Sequence, residues 1–225
     1  MDTLLDVHTP FATVLTVPGL NGSGPGHWQT LWERARPDTT RADLGQWTKP
    51  HRNSWVTKLD QAIRTVRAPV ILAAHSLGCH AVAWWAELSG QPYGWPVAGA
   101  LLVAPADVDR DGACDEIRAF APAPRRPLPF PSILVASTDD PWITAERAHS
   151  LAADWGSHFV DAGALGHMNA TSGLGEWREG QELLNRVMVA SGDRAGHVRP
   201  IGDARAILAT VPGRETGAWS VDSLR

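Results

Sequence analysis

Residues 69–78 read PVILAAHSLG: an apolar run from Pro69 to Ala74 that ends in His75-Ser76-Leu77-Gly78. A short aliphatic run without polar alternation fits a parallel strand covered by helices on both faces. The residues after it, Cys79 to Leu88, are small and aromatic and read as a helix. A serine at such a strand-to-helix junction, with small residues two before it (Ala74) and two after it (Gly78), has the pattern of a nucleophile elbow. The sharp turn exposes the hydroxyl of Ser76, and the N-terminus of the following helix favours developing negative charge there. Ala74 stands where glycine is usual, a departure of one methyl group.

Outward from this junction, strand-like and helix-like segments alternate. Ala12 to Val17, Thr39 to Leu44, Val97 to Ala104, Ser132 to Ser137 and His158 to Asp161 read as further strands. Between them, His27 to Ala35 carries a Trp28, Leu31, Trp32, Ala35 stripe at helical spacing. Helices are also expected over Trp55 to Val66, capped by Ser54, over Thr144 to Trp155 and over Glu176 to Val189. Strands separated by helices predict an α/β fold in three layers, about six mainly parallel strands with helices on both faces. Asp107 to Pro131, with Pro122, Pro124, Pro127, Pro129 and Pro131, is expected to be irregular and to pass over the sheet without forming a large lid domain. One domain is expected over residues 1–190. Residues 191–225 turn to Gly, Asp, Arg and Ser and read as a partly disordered tail.

A serine hydroxyl needs a base, and the base an orienting acid. After an elbow the chain order is serine, acid, histidine. Thr138-Asp139-Asp140-Pro141-Trp142-Ile143 follows a strand and offers two acids. Asp140 is favoured because Pro141 sets the turn after it, with Asp139 as a turn-capping or solvated carboxylate. His167, in the loop Gly163-Ala164-Leu165-Gly166-His167-Met168-Asn169 after the last strand, is the expected base. His75 adjoins the serine and is read as structural. An oxyanion hole is expected from the backbone N–H of Leu77 and one from Leu20 or Asn21, in the glycine-rich loop Pro18 to Gly26. Trp28, Trp47 and Trp142 fall near strand ends and are candidate walls of a small acyl pocket, although each could equally pack against the sheet.

Four motifs in this order, PGLNGSGPGHWQTLWE, AHSLGCHAVAW, ASTDDPWI and GHMN, resemble those of the retinoblastoma-binding protein 9-like (YdeN-type) serine hydrolases, over about residues 12–190. The resemblance implies a compact, largely lidless α/β-hydrolase fold, Ser76, Asp140 and His167 at the triad positions, and carboxylesterase or amidase activity. With no inserted helical lid domain in the sequence, small carboxylic esters are the expected substrates, with amides or thioesters as alternatives, and no cofactor is expected. The namesake's L-x-C-x-E partner motif has no counterpart, because Leu77-Gly78-Cys79 continues into His80 and Ala81. That partner is therefore not implied.

Composition excludes other classes. A net charge of −4 gives no electrostatic reason to bind nucleic acid or an anionic membrane. Cys79 and Cys114 make no disulfide framework, and neither they nor the nine histidines show a metal-binding spacing. The first ten residues hold Asp2 and Asp6 and no apolar run, so a cytoplasmic location is expected. The glycine run G-L-N-G-S-G-P-G is not the G-x-G-x-x-G of a dinucleotide site, and Pro25 removes an N–H that a pyrophosphate would use. The rival that remains is a non-catalytic binding or regulatory module on the same fold. Oligomeric state is not legible in the sequence.

Overall fold

The computed structural model describes residues 12–192. Six strands form one sheet: β1 (Thr13–Val17), β2 (Thr39–Arg41), β3 (Val70–His75), β4 (Val97–Val103), β5 (Ser132–Ala136) and β6 (His158–Asp161). They lie in the order β2-β1-β3-β4-β5-β6, and every neighbouring pair is parallel. The crossovers carry α1 (Trp28–Ala35), α2 (Arg52–Thr65), α3 (Leu77–Ser89), α4 (Asp115–Arg118) and α5 (Ala145–Trp155), and α6 (Arg178–Gly192) follows β6.

The twofold alternation of strand side chains sorts the core into two layers. Leu15, Leu72 and Leu102 face one way and meet Trp55, Leu59, Trp85 and Trp155 of α2, α3 and α5. Val14, Ile71 and Leu101 face the other way and meet Trp28, Trp32, Leu184 and Val187 of α1 and α6. The α/β, three-layer, six-stranded architecture is thus the one the sequence predicts. Six of the eleven tryptophans are buried in these layers: Trp28, Trp32, Trp55, Trp85, Trp155 and Trp177 are at most 5% exposed.

Three local expectations change. The second helix begins at Arg52 with His51 as its N-cap, placing Ser54 in the first turn rather than at the cap. Tertiary contacts draw the helix start forward. Arg52 lies over the Trp84 ring at 4.3 Å, and Trp55 packs on Trp47 and Phe120. Asp107–Pro131 contains α4, which fits ahead of the proline cluster. The last helix runs from Arg178 to Gly192 rather than from Glu176 to Val189, and Ser191 donates to the Ala98 carbonyl at 2.8 Å. The expected tail over 193–225 and the first eleven residues lie outside the described residues. Among those described, no helix is long and apolar enough to cross a membrane.

Candidate active site

The elbow is built by close backbone approach. Ser76 caps α3 with φ 53° and ψ −124°, a conformation that a non-glycine residue adopts only when its surroundings impose it. Its N–H donates to the Val103 carbonyl at 2.9 Å. The end of β1 crosses over the first turn of α3 so closely that a Cβ built on Gly78 would stand 2.2 Å from the Val17 oxygen. Gly19 presses from the same side: its Cβ would stand 2.8 Å from Ser76 Cβ and 3.2 Å from the Leu77 nitrogen. The glycine-rich loop after β1 therefore walls the serine.

The loops after β5 and β6 bring the other two groups to this point. The Ser76 hydroxyl lies 2.8 Å from His167 Nε2. His167 Nδ1–H donates to Asp140, 2.8 Å from Oδ2 and 3.0 Å from Oδ1. The Asp140 side chain is fully buried, and its Oδ1 also accepts the Trp142 N–H at 2.9 Å. Asp139 does not touch the imidazole. It accepts from the Ser137 hydroxyl and the Gly166 N–H, each at 2.7 Å, and these bonds, Ser137 first, lower its pKa. Of the two competing acids, Asp140 is the one at the histidine.

Two more histidines stand behind His167. His75 is buried, and its Nε2–H donates to the His167 carbonyl at 2.9 Å. Burial, then the neighbouring His27 and His167, hold the His75 pKa well below the ordinary histidine value. The His27 ring meets His75 edge-on at 4.7 Å, and its pKa is lowered to about 4 by burial, then by Arg41 and His167. Both are neutral near pH 7, so they add no positive charge beside His167.

Two expectations about the periphery are corrected. The Asn21 N–H is donated to the Trp47 carbonyl at 2.9 Å, so it is not free for an oxyanion. Leu20, next in chain to Gly19, remains with Leu77 as the expected donor pair. Trp28 does not wall a pocket. It is 1% exposed in the core between α1 and α6, and its indole N–H donates to the Met168 carbonyl at 3.1 Å. Trp47 is half-buried against Trp55, and its ring faces Gly22 of the glycine-rich loop. Trp142 is half-buried with its ring 6.0 Å from that of His167, and the Arg110 guanidinium lies over the Trp142 ring, 5.3 Å from its centroid. The bonds from His75 and Trp28 span 92 and 140 positions of the chain and carry no local sequence signal. Among the described residues no group of three or more His, Cys, Asp or Glu is placed to hold a metal ion.

Comparison with known proteins agrees with this architecture. A serine hydrolase family model matches residues 14–186. A YdeN-like hydrolase of Pectobacterium atrosepticum is 35% identical, with 81% of this chain and 91% of that one aligned at a TM-score of 0.67. The ydeN product of B. subtilis is 18% identical over 79% of this chain and 99% of that one, TM-score 0.59. Est1E of Butyrivibrio proteoclasticus shares the fold at 13% identity over 81% of this chain and 89% of that one, TM-score 0.62. No curated protein sequence matches the chain. With most of its length matched by the family model and a YdeN-like hydrolase a third identical to it, the chain belongs to the serine hydrolase family.

Proposed function

We propose that this hydrolase cleaves small carboxylic esters through an acyl-enzyme on Ser76. The observation that carries the reading is the unbroken chain Ser76–His167–Asp140, with 2.8 Å at each link. His167 Nε2 takes the hydroxyl proton as Ser76 Oγ attacks the carbonyl carbon. The Nδ1–H bond to Asp140 holds the tautomer that leaves Nε2 free to accept, and stabilises the imidazolium. The N–H groups of Leu77 and Leu20 receive the oxyanion; each donor contributes about 3 kcal/mol to the transition state. The imidazolium then protonates the leaving alcohol. Water, deprotonated by the same histidine, attacks the acyl carbon and frees Ser76.

The small-ester preference rests on the surroundings. The segment between β4 and β5 supplies only the short α4 as helix, so no helical lid covers the serine among the described residues. Trp142 beside His167 and Trp47 beside the glycine-rich loop give apolar surface for a short acyl group. A series of p-nitrophenyl esters tests this. Highest kcat/KM is expected for acetate to butyrate; a maximum at long acyl chains overturns it.

A further inference from the structure

The loop that carries His167 is held along its backbone at successive residues. The Leu165 N–H donates to Ser137 Oγ at 2.8 Å, and the Gly166 N–H to Asp139 at 2.7 Å. The His167 carbonyl accepts from His75 Nε2–H at 2.9 Å, and the Met168 carbonyl from the Trp28 indole N–H at 3.1 Å. The acceptors come from the end of β5, and the donors from the end of β3 and the start of α1. Met168 needs such holding, because it sits at φ 48°, a conformation unfavourable for its side chain.

We infer that His75 and Trp28 are positioning residues for His167, gripping the loop backbone through ring N–H groups so that the imidazole meets Ser76 and Asp140 at once. The inference rests on the reading of Ser76 and His167 as nucleophile and base. Two features single out His75. It directly precedes Ser76 in the chain, so one rigid strand end fixes both the nucleophile and the carbonyl of the base. Its hydrogen bond also needs only one tautomer, with the proton on Nε2. The ring is braced from behind by His27, itself fixed because its Nδ1 accepts the Gln29 N–H at 3.2 Å. Trp28 is locked between Trp32 and Trp177, with ring centroids 4.6 and 5.3 Å away. Packing thus fixes both donors where the loop carbonyls meet them.

The rate depends on the approach of Nε2 to the hydroxyl, and misplacing the reacting groups by about 1 Å through a change away from the chemistry can cost on the order of a hundredfold. Loss of a donor to the loop carbonyls should therefore lower kcat without weakening substrate binding, because neither ring is placed at the substrate.

The test compares His75→Leu, which removes the donor, with His75→Gln, whose side-chain amide nitrogen can reach the same carbonyl. Trp28→Phe serves as a second variant that keeps an aromatic ring but lacks the N–H. Each is assayed on a short-chain p-nitrophenyl ester well below its own Tm, with fluorophosphonate labelling of Ser76 in wild type run in parallel. The expected result is a 10- to 100-fold lower kcat for His75→Leu, with KM within about twofold, and recovery to within about threefold of wild type in His75→Gln. Trp28→Phe should lose kcat by a smaller factor with KM unchanged. A His75→Leu protein that is folded with wild-type kcat overturns the inference, as does His75→Gln failing as badly as His75→Leu. If His75→Leu does not fold, Trp28→Phe decides: wild-type kcat overturns the inference, and a reduced kcat at unchanged KM supports it. Failure of wild type to label would instead refute the nucleophile reading.

Discussion

Gly78 and Val17 meet so closely that any side chain at residue 78 would overlap the Val17 carbonyl oxygen, 2.2 Å from a built Cβ. This contact presses the end of β1 onto the first turn of α3 and so sets the glycine-rich loop beside Ser76. Both partners are backbone, so neither can rotate away. Gly78→Ala is expected to destabilise the protein by about 3 kcal/mol or more, the upper range for overpacking. Urea unfolding of the two proteins checks this. An unchanged midpoint would mean that the approach is looser than described.

The two neighbouring aspartates should separate by function. Asp140→Asn keeps the shape of the acid but supports the wrong imidazole tautomer, and is expected to cut kcat on the order of 10⁴-fold. Asp139→Asn weakens its bonds from the Ser137 hydroxyl and the Gly166 N–H, neither of which reaches the imidazole, and should cost tenfold or less. Steady-state kinetics of both variants on one ester decide between them, and equal losses would count against the assignment of Asp140.

Acid should destabilise the fold through its buried histidines. His27 and His80 have pKa values lowered to about 4, chiefly by burial, and burial likewise holds that of His75 well below the ordinary histidine value. Their pKa values rise on unfolding, so below pH 6.5 the unfolded chain binds more protons than the folded one. Stability is therefore full above about pH 6.5 and is lost as pH falls toward 4, His27 and His80 each contributing up to roughly 3 kcal/mol of that loss and His75 adding to it in the same direction. Partners around His80 do not cancel the effect. Its Nε2–H bond to the Ala106 carbonyl and the charges of Asp109 and Asp107 raise its pKa, yet burial outweighs them. Thermal melts from pH 8 to pH 4 should show a level Tm down to about 6.5 and a steady fall below it. A level Tm to pH 4 would contradict this.

Two of the candidate pocket tryptophans should respond in opposite ways. Trp28→Ala empties a fully buried site and is expected to cost 3–5 kcal/mol of stability. Trp142→Ala removes a half-buried ring beside His167 and should raise KM several-fold while costing about 1 kcal/mol. Paired melts and kinetics separate the two effects. A raised KM with unchanged stability in Trp28→Ala would restore that residue to the pocket wall.

Much of the fold was legible because its signals are local. The Pro69–Ala74 run, the small residues around Ser76 and the alternation of strand and helix depend on near neighbours, and the structure follows them. The same holds for His167 and the Asp139-Asp140 pair, both placed at strand ends by turn residues. What stayed hidden depends on distant partners. That the Asn21 N–H is spent on Trp47 follows from loop packing across the chain, and no spacing within PGLNGSGPG announces it. Trp28 lies on a clear helical stripe, but the stripe does not say that its N–H is needed by Met168, on a loop 140 positions later. The start of α2 moved for a similar reason, since contacts of Arg52 and Trp55 with Trp84 and Phe120 outweigh the capping preference of Ser54.

The most direct measurement is covalent labelling of the folded full chain with a fluorophosphonate, followed by mass spectrometry of the modified peptide. One adduct is expected, on Ser76, accompanied by loss of esterase activity, absent from Ser76→Ala and strongly slowed in His167→Ala. No adduct on folded wild type, or an adduct that persists in Ser76→Ala with activity intact, would contradict it.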